Sequence, residues 1–267
     1  MTYPGGTLML DLNALNSATK YPSIPTYHAL GERGSLLEEP VVFDGDVVLT
    51  EKIDGTNSRI IRMPGGDWFL GSREELLTAR GDRVHNPALG IVDALRDLAD
   101  RIKVEDDDLI TVFYLETYGG RIGGQARQYT GDGTVGFRMF DLASIPTEVV
   151  GWDRARISAW RDTGGQSFAN EDALQRAAEA GKIDLAPRLA RIPARDIPLT
   201  LTDTRAWLSE TLPGSLVGLD AGALGRAEGI VLRTTDRAVI AKARFQDYER
   251  TLKRKGAPST GRAPAAR

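Results

Sequence analysis

The sequence predicts an α+β fold of antiparallel sheets flanked by helices, on three observations. Strand signals cluster before and after a helical middle, without the regular strand–helix alternation that a parallel sheet requires. The strand segments are short, β-branched or aromatic, and bounded by Gly, Pro, Asn and Asp. The chain has 267 residues, 41% hydrophobic and 27% charged, which suits one soluble domain with a sizeable core.

Taken in order, the first forty residues mix short apolar runs with Pro and Gly and read as irregular entry structure. VVLTE (47–51), NSRIIRM (57–63) and DWFLGS (67–72) are three strand signals separated by turns. They read as a β-meander with Lys52 at its first corner. Asn86 is placed to cap a helix, with Pro87 at its first position and Leu89, Val92, Leu95, Leu98, Ala99 and Ile102 as its apolar stripe. LITVFYLETY (109–118) is a strand signal rich in β-branched and aromatic residues, and GFRMFDL (136–142) is another; a glycine-rich loop joins them. Residues 146–225 read as helix and loop, with helices at 170–181, capped by Asn170 and stopped at Gly181, and at 202–212. EGIVLRT (228–234) and AVIAKAR (238–244) form a hairpin around Thr235-Asp236-Arg237, and 246–254 closes as a short helix. The organisation expected is one domain over 1–255 and a basic, disordered tail over 256–267.

Several function classes fall away. No cysteine is present, which removes disulfides, thiolate zinc sites and cysteine nucleophiles and suits a reducing, cytoplasmic home. Only His28 and His85 could supply imidazole, so a histidine-rich metal site is excluded. No apolar run approaches the ~18 residues that span a bilayer, and no signal peptide is visible. A net charge of −3 is not that of a general polyanion binder. After Glu249, however, Arg250, Lys253, Arg254, Lys255, Arg262 and Arg267 are basic and no acid follows. No obligate protein partner is evident.

The chemistry gathers at Lys52, within Glu51-Lys52-Ile53-Asp54-Gly55-Thr56-Asn57. A single lysine is ordinarily a solvated charge. Here a strand gives it a rigid mount, and Gly55 permits a tight corner and the close approach of a ligand. A neutral lysine amine is a nucleophile, and burial or neighbouring cations make the neutral form accessible. Attack on the α-phosphorus of ATP would need cations on that phosphate, a metal on the leaving pyrophosphate and a pocket for the base. Lys242 and Arg244 stand two apart on a strand and so share a face, where two cations want an anion. Glu116 ends an apolar strand, with a carboxylate free to accept from ribose hydroxyls. Glu228 precedes a strand, where it can face the site and help place magnesium. The ordinary alternatives are surface acids for the glutamates, core packing for Phe140 and a partner for Glu74 or Glu75 for Arg73.

EKIDGTN resembles the nucleophile motif of the lysyl-nucleotidyltransferase superfamily of DNA ligases, RNA ligases and mRNA capping enzymes. Asn57 resembles the ATP-dependent RNA ligases, of the phage double-strand type; the other branches generally carry arginine there. Further motifs follow in the family's order. Ser72-Arg73 resembles its arginine motif, and Leu115-Glu116-Thr117-Tyr118-Gly119 the motif whose glutamate holds the ribose. Phe137-Arg138-Met139-Phe140-Asp141 resembles the motif that stacks on adenine, through Phe140. Glu228-Gly229-Ile230-Val231 resembles the metal-associated motif, and Lys242-Ala243-Arg244 the closing motif on the α-phosphate, with arginine where lysine is usual. The resemblance implies a nucleotidyltransferase (ATP-grasp-like) domain without an appended OB-fold. It implies ATP and Mg²⁺ or Mn²⁺ as cofactors, Lys52 as the catalytic residue and Glu228 as the metal residue. Glu51, Asp54, Gly55, Asn57, Arg73, Glu116, Phe140, Glu228, Lys242 and Arg244 become nucleotide-binding residues. The implied reaction joins 3′-hydroxyl and 5′-phosphate RNA ends, in a nicked duplex, an RNA/DNA hybrid or single strands. The rivals are a capping-type guanylyltransferase or DNA ligase using the same lysine, and a catalytically dead nucleic-acid-binding module.

Overall fold

The computed structural model describes residues 10–80, 82–83, 90–104 and 108–256. The expected cap at Asn86 and Pro87, the stripe residue Leu89 and almost all of the basic tail lie outside them. The chain opens with α1 (Leu12–Ala18), β1 (His28–Leu30) and β2 (Leu36–Pro40), then runs through β3 (Asp46–Lys52), β4 (Thr56–Arg62), β5 (Trp68–Ser72), β6 (Leu76–Ala79) and β7 (Asp82–Arg83). α2 (Ile91–Arg101), β8 (Leu109–Gly119), β9 (Val135–Pro146), α3 (Arg154–Asp162), β10 (Ser167–Phe168) and α4 (Glu171–Gly181) follow. The remainder is β11 (Arg188–Pro193), α5 (Leu201–Thr211), β12 (Gly229–Thr234), β13 (Ile240–Arg244) and α6 (Phe245–Gly256).

Every ladder between these strands is antiparallel. A seven-stranded sheet has the order β10-β9-β8-β4-β5-β6-β7, a four-stranded sheet the order β11-β3-β12-β13, and β1 pairs with β2. The α+β expectation therefore holds. The meander through Lys52 does not, because β3 and β4 lie in different sheets. The segment after Lys52 is a crossover between sheets, and the meander begins one strand later, at β4-β5-β6. Short strand signals with a turn between them cannot distinguish a hairpin from such a crossover.

One face of the large sheet packs Ile60, Leu70, Phe113 and Leu115 against Val92, Leu95 and Leu98 of α2 and Leu174 of α4. The other packs Ile61, Val112 and Tyr114 against Leu15 of α1 and Ile157 of α3. On the small sheet, Leu49, Ile230, Leu232 and Ala243 face Leu208 of α5 and Tyr248 of α6. Alternation along each strand thus leaves one face of the small sheet for the site. Burying side chains of this size contributes roughly 1.5–3 kcal/mol each before entropy is counted.

Residues 10–40 are more regular than their composition suggests. Asp11 caps α1 by accepting from Asn13 and Ala14. β1 and β2 are held to α6, where Leu36 donates to Thr251 at 2.9 Å and His28 Nδ1 meets the Tyr248 hydroxyl at 2.8 Å. Tertiary partners decide these elements, and local sequence does not name such partners. α3 and β11 were likewise unread within 146–225. α4 is capped by Asn170 as expected, but Gly181 closes the helix from inside and Lys182 takes the left-handed cap position. Among the described residues, no helix is long and apolar enough to cross a membrane.

Candidate active site

A cavity of about 340 Å³ opens between the two sheets. Its lining includes Glu51, Lys52, Asp54, Gly55, Asn57, Arg73, Glu116, Phe140, Lys242 and Arg244, so all but one of the residues singled out from the sequence converge on it. The exception, Glu228, reaches Lys52 from the side: its Oε2 accepts from Lys52 Nζ at 2.6 Å.

Strand pairing explains the cationic wall. Across the site face of the small sheet, Lys52 pairs with Gly229 and Gly229 with Arg244. In the next row Thr50 pairs with Val231 and Val231 with Lys242. Directly paired residues point to the same side. Lys52, Lys242 and Arg244 therefore share one surface, with Gly229 between Lys52 and Arg244. Gly229 is a glycine for a packing reason: a Cβ there would stand 2.1 Å from the Ala243 carbonyl oxygen. Burial, then Arg244 and Lys52, hold the Lys242 ammonium below its usual pKa. Arg244 is partly engaged, its Nε donating to Asp247 at 2.7 Å.

The crossover from β3 to β4 carries the motif. A Cβ on Gly55 would fall 2.3 Å from the Thr117 carbonyl oxygen, so only glycine lets the chain pass β8 this closely. Asp54 N donates to the Tyr129 hydroxyl at 2.7 Å, and Gly55 N donates to Glu116 Oε1 at 3.1 Å. Asn57 pairs with Glu116 across β4 and β8, and its Oδ1 is buried with no hydrogen-bond partner among the described residues.

Glu116 was expected to be an exposed carboxylate. It is half-buried, and its pKa is raised to about 7, by burial first and by Glu228 and Asp54, against the pull of Lys52. Burial likewise raises Glu228. Glu51 lines the cavity, but its carboxylate serves a different end, accepting from Ser215 Oγ at 2.6 Å and Leu216 N at 2.9 Å. Arg73 lies at the rim, largely exposed and 3.5 Å from Glu74, one of the alternative partners that the sequence raised for it.

Phe140 owes its position to a β-bulge. Tyr114 pairs with Asp141 and Leu115 with Met139, so Phe140 has no residue opposite it. A bulge re-aims the side chain it carries, and here that side chain enters the cavity wall beside Tyr21, ring centroids 5.0 Å apart. Sequence reasoning missed Tyr21, Pro22, Ser23 and Ile24, which close one side, and Ala186 and Arg188 on another. No local pattern marks them. Val231, quoted only as part of a motif, and Arg233 were within reach: period two along β12 from Gly229 puts both on the site face.

Among the described residues no group of three or more carboxylate or imidazole side chains forms a cation cage. Glu228 and Glu116 instead offer one or two oxygens, the donor set with which a hydrated Mg²⁺ or Mn²⁺ completes its shell from water and substrate phosphates.

Fold and site together define a two-sheet domain with a ligand-sized cavity and a strand-mounted lysine at its wall. The chain belongs to the RNA ligase family, whose model matches residues 45–253. It is similar in fold to solved structures of Naegleria gruberi RNA ligase. One variant with ATP and manganese aligns at TM-score 0.52 and 14% identity over 79% of this chain and 52% of that one. A second, also with ATP and manganese, aligns at 0.54 and 13% over 89% and 63%. The complex with pyrophosphate aligns at 0.51 and 14% over 88% and 64%. This chain thus spans 52% to 64% of the length of those ligases. No curated protein matches it by sequence.

Proposed function

We propose that this chain is an ATP-dependent RNA ligase that works through a covalent lysyl-AMP on Lys52. The observation that carries the reading is the shared face of Lys52, Lys242 and Arg244, set across one cavity from Glu116 and Phe140. Two cations beside a nucleophile suit an α-phosphate; a ring and a carboxylate at the far wall suit a purine nucleoside.

In the first step Lys52 Nζ, having lost its proton, bonds to the α-phosphorus, and the bond to pyrophosphate breaks. Lys242 and Arg244 hold the charge that develops on the phosphoryl oxygens. Phe140 and Val231 enclose the base, and Glu116 accepts from the ribose hydroxyls. In the second step a 5′-phosphate oxygen of RNA attacks the same phosphorus, the P–N bond breaks and a 5′-5′ adenylated end forms. In the third a 3′-hydroxyl attacks the adenylated phosphate, the phosphodiester forms and AMP leaves. A divalent metal, held by Glu228 with Glu116 near it, would supply charge neutralisation on the phosphates. The Lys52–Glu228 ion pair has a consequence of its own: Glu228 occupies Lys52 Nζ in the free enzyme, so attack by the amine requires Glu228 to be drawn away.

RNA rather than DNA as substrate rests on the family and on Asn57, whose unpartnered Oδ1 can accept from a ribose or amide donor. Nicked duplexes and RNA/DNA hybrids are the ends we place first, and the cysteine-free composition suits a cytoplasmic setting. Incubation with α-labelled ATP and magnesium should give a covalently labelled protein. Replacing Lys52 with Ala should reduce labelling on the order of 10³-fold or more. A Lys52→Ala protein that still labels would end the assignment; labelling by GTP in place of ATP would turn it toward capping.

A further inference from the structure

A second cavity, of about 210 Å³, adjoins the first. Asp54 lines both. Lys52 lines only the first and Glu228 only the second, so their 2.6 Å ion pair forms the partition between them. The rest of the second cavity is built from Gln125 and Gln128 of the glycine-rich loop after β8, from Arg226, and from Phe245 and Gln246 at the start of α6.

The loop is firmly held where it forms this wall. Gln128 Oε1 accepts from Arg226 N at 3.0 Å, and Gly225 N donates to the Gln128 carbonyl oxygen at 2.9 Å. Tyr129 accepts from Asp54 through its hydroxyl, and Leu219 N donates to its carbonyl oxygen at 2.8 Å. On the opposite wall Phe245 N donates to the Glu228 carbonyl oxygen at 3.0 Å. The cavity is therefore a fixed feature of the fold and not a gap between mobile segments.

Its charge decides what it can take. With the ion-pair partners at its border counted, three carboxylates, Asp54, Glu228 and Glu249, stand against two cations, Lys52 and Arg226. A phosphate or pyrophosphate would meet net negative charge there. A neutral, hydroxyl-bearing group would not, and the three glutamines and the two aromatic rings, Tyr129 and Phe245, offer hydrogen bonds and a stacking face. The size is below the roughly 300–1,000 Å³ of sites that enclose a whole drug-sized ligand, which limits the occupant to about one nucleoside.

We propose that this second cavity receives the terminal nucleoside of the acceptor strand and delivers its 3′-hydroxyl to the reaction centre. The inference rests on the ligase reading above. With AMP in the first cavity, the 3′-oxygen would enter past Glu228 and bond to the 5′-phosphorus of the adenylated strand. The anhydride bond to AMP breaks, AMP leaves with the electron pair, and the hydroxyl proton passes to solvent at the cavity mouth. The glycine-rich loop becomes a positioning element for the last step, a role independent of ATP.

The test separates the steps. Gln246→Trp, at an exposed position in the first turn of α6, fills the second cavity; Gln125→Ala, also exposed, removes one of its amides. Each is assayed for lysyl-AMP formation with labelled ATP, and for sealing of a chemically pre-adenylated 5′ RNA to a 3′-hydroxyl RNA over a range of acceptor concentration. Adenylate formation should stay at the wild-type level. Sealing by Gln246→Trp should fall roughly tenfold or more, with a raised KM for the acceptor, and Gln125→Ala should fall less in the same direction. Wild-type sealing by Gln246→Trp would overturn the proposal, as would an equal loss of both reactions, which would assign the cavity to the nucleotide. If the wild-type protein forms lysyl-AMP and seals pre-adenylated ends, and Gln246→Trp seals them equally well, this inference fails alone. If the wild-type protein forms no lysyl-AMP, the ligase reading fails with it.

Discussion

Two groups of cations meet the same cavity, one through Arg188 and Arg233 and the other through Lys52, Lys242 and Arg244, and the fold treats them in opposite ways. At one end Arg233 pairs with both Asp141 and Glu171, Arg237 with Asp141, and Arg188 with Glu171, while the Tyr21 hydroxyl donates to Asp141. The side chains of Arg233 and Arg237 are only 4% and 8% exposed. At the other end Lys52 and Arg244 are 23% and 33% exposed and have one carboxylate partner each, Glu228 and Asp247. Lys242 makes no ion pair among the described residues. Residue type alone does not separate the groups. A buried cation paired with buried carboxylates ties elements together, here β12 and its hairpin to β9 and α4. A half-exposed cation with partners missing is left able to meet an anion that arrives later.

The largest expected effect breaks the first group. Arg233→Ala leaves Asp141 and Glu171 short of a buried partner and should cost about 3–5 kcal/mol of stability, read from urea unfolding. A loss below 1 kcal/mol would mean that the network is not the tie described. Lys242→Ala is the counterpart in the second group. It should lower the rate of lysyl-AMP formation by about 10²–10³-fold, the scale for one preorganised charge at a reacting phosphate, with the unfolding midpoint little changed. A destabilised variant with normal adenylation would reverse the assignment of the two groups.

Glu116 gives a smaller, pH-dependent effect. Its folded pKa, about 7, lies above the usual carboxylate value of 4.5, so the folded state binds this proton more tightly than the unfolded one. The stabilising effect of that proton is fully present below 4.5 and is lost as pH rises through 7. Glu116→Gln keeps an acceptor for Gly55 N and removes the charge. The variant should match the wild type near pH 4.5 and exceed it at pH 8 by on the order of 1–3 kcal/mol. Parallel stability profiles for the two proteins would refute the burial argument. Arg73→Ala should matter least. An exposed arginine at the rim, beside Glu74, is expected to change the KM for ATP by less than about tenfold and stability by under ~1 kcal/mol; a greater loss of activity would move Arg73 into the second group.

Legibility followed the range over which each feature is decided. Strands and helices with strong patterning (β3, β4, β5, β8, β12, β13, α4 and α5) were visible because period and turn chemistry are local. α1, β1, β2 and β11 were not, because contacts with α6, α3 and β3 decide them. The residues singled out through motifs, Glu228 apart, line one cavity. Tyr21, Ala186 and Arg188 were not singled out, since only the meeting of distant segments makes them neighbours of Lys52.

By itself the sequence determined the strand-mounted Lys52 before a glycine, the paired cations Lys242 and Arg244 on one strand face, and the antiparallel α+β class, because each depends on residue type and short spacing. The tertiary structure alone decided the rest. It placed Lys52 and Asn57 on different sheets, so that the motif spans the cavity as a crossover and not as a hairpin corner. It turned Phe140 inward through a bulge and raised the Glu116 carboxyl by burying it. It also joined Lys52 to Glu228, 176 residues away along the chain, at the wall between two cavities. These outcomes depend on register and burial, quantities that exist only once strands far apart in sequence have paired.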